Sequence, residues 1–280
     1  MKKLPKLLVL LSFSLLTYCV TTSFVYHFSL QTSFSQEETF DYNRAFNDYV
    51  YNYNLYRSTH LDYITAKSEY QSYNTLTSKT KALEATRKML LQRDKAFETY
   101  LTSLRMKLKE ETGVNTYKQS LYFLKLDDEV TWLKQHQSFL TTPSTIEDLI
   151  KESRKLENRY PSTSVINYQA LGVVFEGKEI YLREEVEELI DLVEKKINEI
   201  KASGEDTQIM ERWLIEAKQK VVLSQQKQAE AETILSSMEP KDTGKAKNYD
   251  QARHLFSESN QYLKEAVSFL KEIIREVKRA

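Results

Sequence analysis

Tyrosine returns every seven residues at Tyr42, Tyr49, Tyr56, Tyr63 and Tyr70. Four residues after the first four stand Phe46, Tyr53, His60 and Lys67. On an α-helix this interval brings each ring back to nearly one face, so the series predicts an aromatic seam lying along another helix. A second row runs through Leu76, Leu83, Leu90, Phe97 and Leu104, with Thr80, Arg87, Asp94, Leu101 and Leu108 beside it. The step from Tyr70 to Leu76 is six rather than seven. In a continuous coiled coil that equals a three-residue insertion, which overwinds the supercoil. The intervening Ser72–Ser78 stretch is rich in side chains that bond their own backbone and favour caps over helix interiors. The favoured reading is an antiparallel hairpin of helices at about 38–73 and 78–111, with Gly113 as the C-terminal cap.

A further helix is predicted over 115–141, carrying Leu121, Leu124, Trp132, Leu133 and Leu140 and stopped by Pro143. Ser144-Thr145-Ile146-Glu147 reads as a capping box that opens a short helix to about Arg159. Tyr160-Pro161-Ser162-Thr163-Ser164 reads as the internal boundary. Val165–Phe175 is apolar without a clear period, and reads either as a short buried helix or as an extended strap. Beyond it, three faces recur in steps of three and four. One runs from Leu182 to Ile200. The second, from Met210 to Met238, includes Ser224 and Gln228 as a polar layer that fixes alignment. The third runs from Ala252 to Val277 and includes Ser259. The short Ser203–Asp206 connection makes the first pair antiparallel, and a three-helix bundle is the simplest closure.

Only 5 Gly and 4 Pro occur in 280 residues, which leaves little material for the turns that strands require. The predicted class is therefore all-α: antiparallel bundles of long helices with coiled-coil-like packing. Three segments are expected. Residues 1–35 form a signal peptide or uncleaved membrane anchor, 36–160 a helical hairpin plus two shorter helices, and 161–280 the C-terminal three-helix bundle. Lys+Arg and Asp+Glu each number 40, so no global field favours nucleic acid, and no nucleic-acid partner is expected.

Lys2, Lys3 and Lys6 precede the predominantly apolar Leu7–Tyr26. This is the pattern of a signal peptide or of a single span, with the basic side in the cytoplasm and later residues outside. No Ala-x-Ala cleavage site is present, which favours an anchor over cleavage. Cys19, the single cysteine, lies inside this segment; bulky Tyr18 before it disfavours lipid attachment. The rest of the chain can form neither a disulfide nor a cysteine-based metal site.

Catalytic and metal signatures are missing from the sequence. His27, His60, His136 and His254 lack the spacing of a zinc helix, and none follows a carboxylate at the spacing a di-iron bundle needs. The glycines are too scattered for a phosphate loop. Glu184, Glu185, Glu187, Glu188, Asp191 and Glu194 read as a solvated acidic face near a helix start. No cofactor, metal or enzymatic activity is expected. Eighteen Tyr against 12 Phe suit half-wet interfaces, because the ring buries area while the hydroxyl stays hydrated. His60 and Lys67 are the polar members of the seam and read as register-setting or snorkelling side chains. The expected function is that of an exported, membrane-tethered helical scaffold or interaction protein of the cell envelope. It would meet the membrane through its N-terminal segment and a protein partner, or itself, through its helix faces. Tyr42, Tyr49, Tyr56, Tyr63 and Tyr70 are the candidate seam. The alternative is an extracytoplasmic ligand-binding or sensor-like bundle.

Overall fold

The structure, a computed structural model, describes residues 41–279. The segment predicted as a signal or anchor, 1–35, lies outside the described residues, and Cys19 and His27 with it. The described chain is all-helical, with six helices packed against one another. They are α1 (Tyr42–Tyr73), α2 (Leu76–Glu110), α3 (Thr116–Leu140), α4 (Ile146–Ala202), α5 (Gln208–Ser236) and α6 (Lys245–Val277). Among these, no helix is long and apolar enough to cross a membrane.

The α1–α2 break is built from local chemistry. Asn74 takes the left-handed conformation (φ 47°) and its N–H donates to the Tyr70 carbonyl, closing α1. Thr75 then caps α2: its hydroxyl accepts from the Ser78 N–H, and the Ser78 hydroxyl accepts from the Thr75 N–H. Two N–H groups with no helical partner are thus satisfied reciprocally, and the phase slip is a turn rather than an overwound coil. At the far end of α2 the cap is Glu111, not Gly113.

The largest departure from the sequence reading is α4. It runs 57 residues from Ile146 to Ala202, about 85 Å at 1.5 Å per residue, straight through Pro161. The predicted boundary at Tyr160–Ser164 therefore falls inside a helix, and Val165–Phe175 is neither strap nor separate helix. The predicted Ser144 cap also moves one residue, since the Thr145 hydroxyl accepts from the Asp148 N–H. An interior proline costs about 3 kcal/mol by removing one backbone bond and crowding the preceding turn. Burial on both sides of it opposes that cost: Leu156 lies before Pro161, and Val165, Ala170, Val173 and Val174 after it, all in the interior. At about 1.5–3 kcal/mol for each large side chain, a break that exposed them would cost more than the proline does.

Four apolar clusters follow the length of α4. Tyr56, Met89, Leu90, Leu140 and Leu149 join α1 to α2, α3 and the start of α4. Leu101, Leu108, Leu126, Leu133 and Val173 fill the space between α2, α3 and α4. Val165, Ala231, Leu235, Ala252 and Phe256 tie α4 to α5 and α6. Val186, Ile197, Leu214, Leu263 and Leu270 continue that packing toward the other end. Among the described helices, the backbone of α1 packs only on α2, and the backbone of the α5–α6 hairpin meets the other helices through α4.

Candidate functional site

The tyrosine seam faces α2 of the same chain. The Lys107 ammonium of α2 lies 5.1 Å from the centre of the Tyr42 ring, and Tyr49 meets Tyr100 edge-on at 5.3 Å. Burial, with the neighbouring Tyr53, pushes the Tyr49 phenol up to about 12. Tyr56 is 5% exposed and sits in the cluster with Met89 and Leu90. Tyr63 packs half-buried on that cluster, with the Lys67 ammonium 5.6 Å from its ring. The half-buried Tyr70 supplies the carbonyl that closes α1. His60 lies between Tyr56 and Tyr63 at ring distances of 5.8 and 6.0 Å. Two tyrosines of α1 outside the seven-residue series, Tyr51 and Tyr73, point to solvent.

The seam continues inward through Tyr100, whose hydroxyl donates to Asn167 Oδ1 at 2.7 Å with both residues buried. Burial pushes the Tyr100 phenol far up, so it acts as a neutral donor. Tyr100→Phe leaves the Asn167 oxygen without that donor and should cost about 2 kcal/mol of stability. Urea unfolding measures it, and an unchanged midpoint would mean that another donor takes the place of the hydroxyl.

A polar cluster that the sequence search did not find lies where α2, α3 and α4 meet. Asp94 is fully buried on α2 and His136 is 2% exposed on α3. His136 Nδ1 donates to Asp94 Oδ2 at 2.5 Å, and Nε2 lies 3.1 Å from the Glu152 carbonyl oxygen of α4. Asp94 Oδ1 also accepts from Arg93 Nε and Nη2, each at 3.1 Å, while Arg93 Nη1 donates to Ser153 Oγ of α4 at 2.9 Å. The His136 ring stacks on Trp132 at 4.8 Å, and the Arg159 guanidinium lies 4.8 Å from the Trp132 ring. Arg159 in turn holds Glu129 with two hydrogen bonds, and Thr163 donates to the same carboxylate.

A histidine beside a carboxylate is the beginning of general-base chemistry, but a base must reach the proton it takes. Here both ring nitrogens are spent on protein oxygens and the ring is closed off by Trp132. The arrangement fastens three helices together. Its sequence signal was Asp94 standing in an apolar row, and His136 at helical spacing from Leu133 and Leu140.

No family model, curated protein or solved structure matches the chain. Among the described residues, no group of three or more His, Cys, Asp or Glu is placed to hold a metal ion. A surface hollow lined by Asp191, Glu194, Lys195, Asn198, Glu199 and Ala202 lies along α4 alone. Large apolar side chains do reach solvent on α3: Tyr117 (78% exposed), Leu121 (36%) and Leu124 (66%) follow one another at i, i+4 and i+7. These positions share one helix face, opposite the face that buries Leu126, Leu133 and Leu140.

Proposed function

We propose that the chain is an exported, membrane-tethered helical scaffold of the cell envelope, without catalytic activity, that works by presenting helix faces to a protein partner. The observation that carries this reading is the α3 row of Tyr117, Leu121 and Leu124, set on a helix whose opposite face is fully packed. Large apolar groups on a rigid helix at i, i+4 and i+7 are the spacing by which one helix docks on another. The seam of Tyr42, Tyr49, Tyr56, Tyr63 and Tyr70 supports it in a different way: those rings stiffen the α1–α2 hairpin from inside. The coiled-coil-like steps of α4, α5 and α6, and their closure as a three-helix bundle, belong to the same reading of a stiff scaffold. Export and tethering are supported by Lys2, Lys3 and Lys6 before the apolar Leu7–Tyr26.

Two arms test the proposal in the cells that make the protein. A Ser58→Cys variant, placed on the exposed side of α1, should react with a membrane-impermeant maleimide on intact cells. Protection until lysis would overturn export. Tyr117→Asp with Leu124→Asp should leave the melting temperature within about 2 °C, because exposed substitutions rarely exceed ±0.5 kcal/mol. The same pair should shift the native assembly to a smaller size. An unchanged size, or a wild-type particle of monomer mass, would overturn the role of this face.

A further inference from the structure

Between the two apolar clusters that join α4 to α5 and α6 lies a layer of polar side chains. Glu179 of α4 is 6% exposed, and Ser224 of α5 and Ser259 of α6 are fully buried. Ser259 Oγ lies 3.0 Å from Glu179 Oε2, 2.8 Å from Ser224 Oγ and 3.1 Å from the Ser224 carbonyl. Asn260 Nδ2 donates to Glu179 Oε1 at 3.2 Å. Both carboxyl oxygens are therefore held by neutral donors on α6. No lysine, arginine or histidine among the described residues comes within ion-pair distance of Glu179. Arg183, one turn along α4, is turned to Gln228 Oε1 of α5 at 2.6 Å, and Lys264 of α6 acts only at longer range. The neighbouring Glu176 differs: Lys118 of α3 binds it directly and also lies 3.6 Å from Glu232 of α5.

We propose that Glu179 is a proton-operated latch between α4 and the α5–α6 hairpin, closed by mild acid and loosened when its carboxyl ionises. An ionised carboxylate inside a helix bundle without a paired cation pays a desolvation cost that two neutral hydrogen bonds offset only in part. Undocking α5 and α6 from α4 returns that charge to water. The hairpin can move as a unit, because α5 and α6 pack extensively on each other and their backbone meets the remaining helices through α4, the Lys118–Glu232 ion pair being, among the described residues, the one tie to α3 that undocking also breaks. That supplies the two-state element that a switch requires.

Burial raises the Glu179 carboxyl above its ordinary 4.5, outweighing the bonds from Ser259 and Asn260 and the charges of Arg183 and Lys264. Burial raises Glu176 as well, with the Lys118 bond opposing and the Glu232 charge reinforcing. A carboxyl raised in the docked state binds its proton more tightly there than in the open state. Its contribution to docking is thus fully present below the ordinary value and is lost as pH rises through the raised one.

Amide hydrogen exchange on the full chain tests the latch, compared as protection factors at about pH 5.5 and about pH 8 to remove the intrinsic rate. Amides of α6 from Phe256 to Leu263 should be protected several-fold more at the lower pH, while those of α2 around Leu101 and Leu104 should not gain. Glu179→Gln, of the same shape and without charge, should give the higher α6 protection at both pH values. Ser259→Ala removes a donor to the carboxylate and should lower α6 protection mainly at the higher pH. Three results would overturn the proposal: α6 protection that ignores pH in the wild type, a dependence that survives Glu179→Gln, or one that disappears in Glu176→Gln alone.

Discussion

Asp94→Ala should lower stability by about 3–5 kcal/mol, the cost of removing one member of a buried charged pair and leaving its partners behind. Two groups are orphaned at once. Arg93 loses the acceptor of its Nε and Nη2, and His136 loses the acceptor of Nδ1. Neither can turn to water easily, since His136 is 2% exposed and the Arg93 side chain 15%. In a chain of this size, about 2–4 °C accompany each kcal/mol, so melting should fall on the order of 10 °C. His136→Ala should cost less, because Asp94 keeps Arg93, although Trp132 loses its stacking partner. The double variant should be less destabilised than the sum of the two, with a coupling of about 1–3 kcal/mol. Strict additivity in urea unfolding would mean that the pair does not fasten α2 to α3.

What was legible in the sequence was local. The hairpin of α1 and α2 was readable because seven-residue periodicity gives a helix its face, and because Ser72–Ser78 carries its own capping chemistry. The end of α3 followed from Pro143, and the polar members of the last two helices were readable as rows containing Ser224 and Ser259. The long α4 was not readable. Pro161, Gly172 and Gly177 are helix-disfavouring residues by any local criterion, and the packing that outweighs them comes from α2, α3, α5 and α6. The orientation of the tyrosines could be read from their period, whereas the Asp94–His136 pair could not, because 42 residues separate the partners and their meeting depends on the register of α3 against α2. Glu179 was hidden for the same reason: it lies in the stretch of α4 next to the glycines, and its partner Ser259 is 80 residues away.

Gly177, one of the glycines that disguised α4, lies in close approach to Gly113 of the α2–α3 loop, and that contact gives the second large prediction. A Cβ at Gly113 would lie 2.1 Å from the Gly177 carbonyl oxygen and 3.0 Å from the Tyr181 nitrogen, both backbone atoms of α4. Backbone inside a helix cannot step aside, so the loop that joins α2 to α3 must lift off α4. That would disturb Val114, which is buried against the same cluster as Leu108 and Val173. Gly113→Ala should therefore cost about 3 kcal/mol, at the upper end of overpacking penalties. Gly172 makes the contrast. A Cβ there would meet Leu235 Cδ1 at 2.2 Å, the far end of a side chain that can change rotamer. Alanine also favours a helix interior over glycine by about 1 kcal/mol, which offsets the repacking of Leu235. Gly172→Ala should stay within about 1 kcal/mol of wild type by these two opposing amounts. Denaturant unfolding of the two variants side by side reads the difference. Equal losses would show that the loop yields as readily as a leucine side chain, and would remove the close approach of Gly113 to Gly177 as the reason those glycines stand in the sequence.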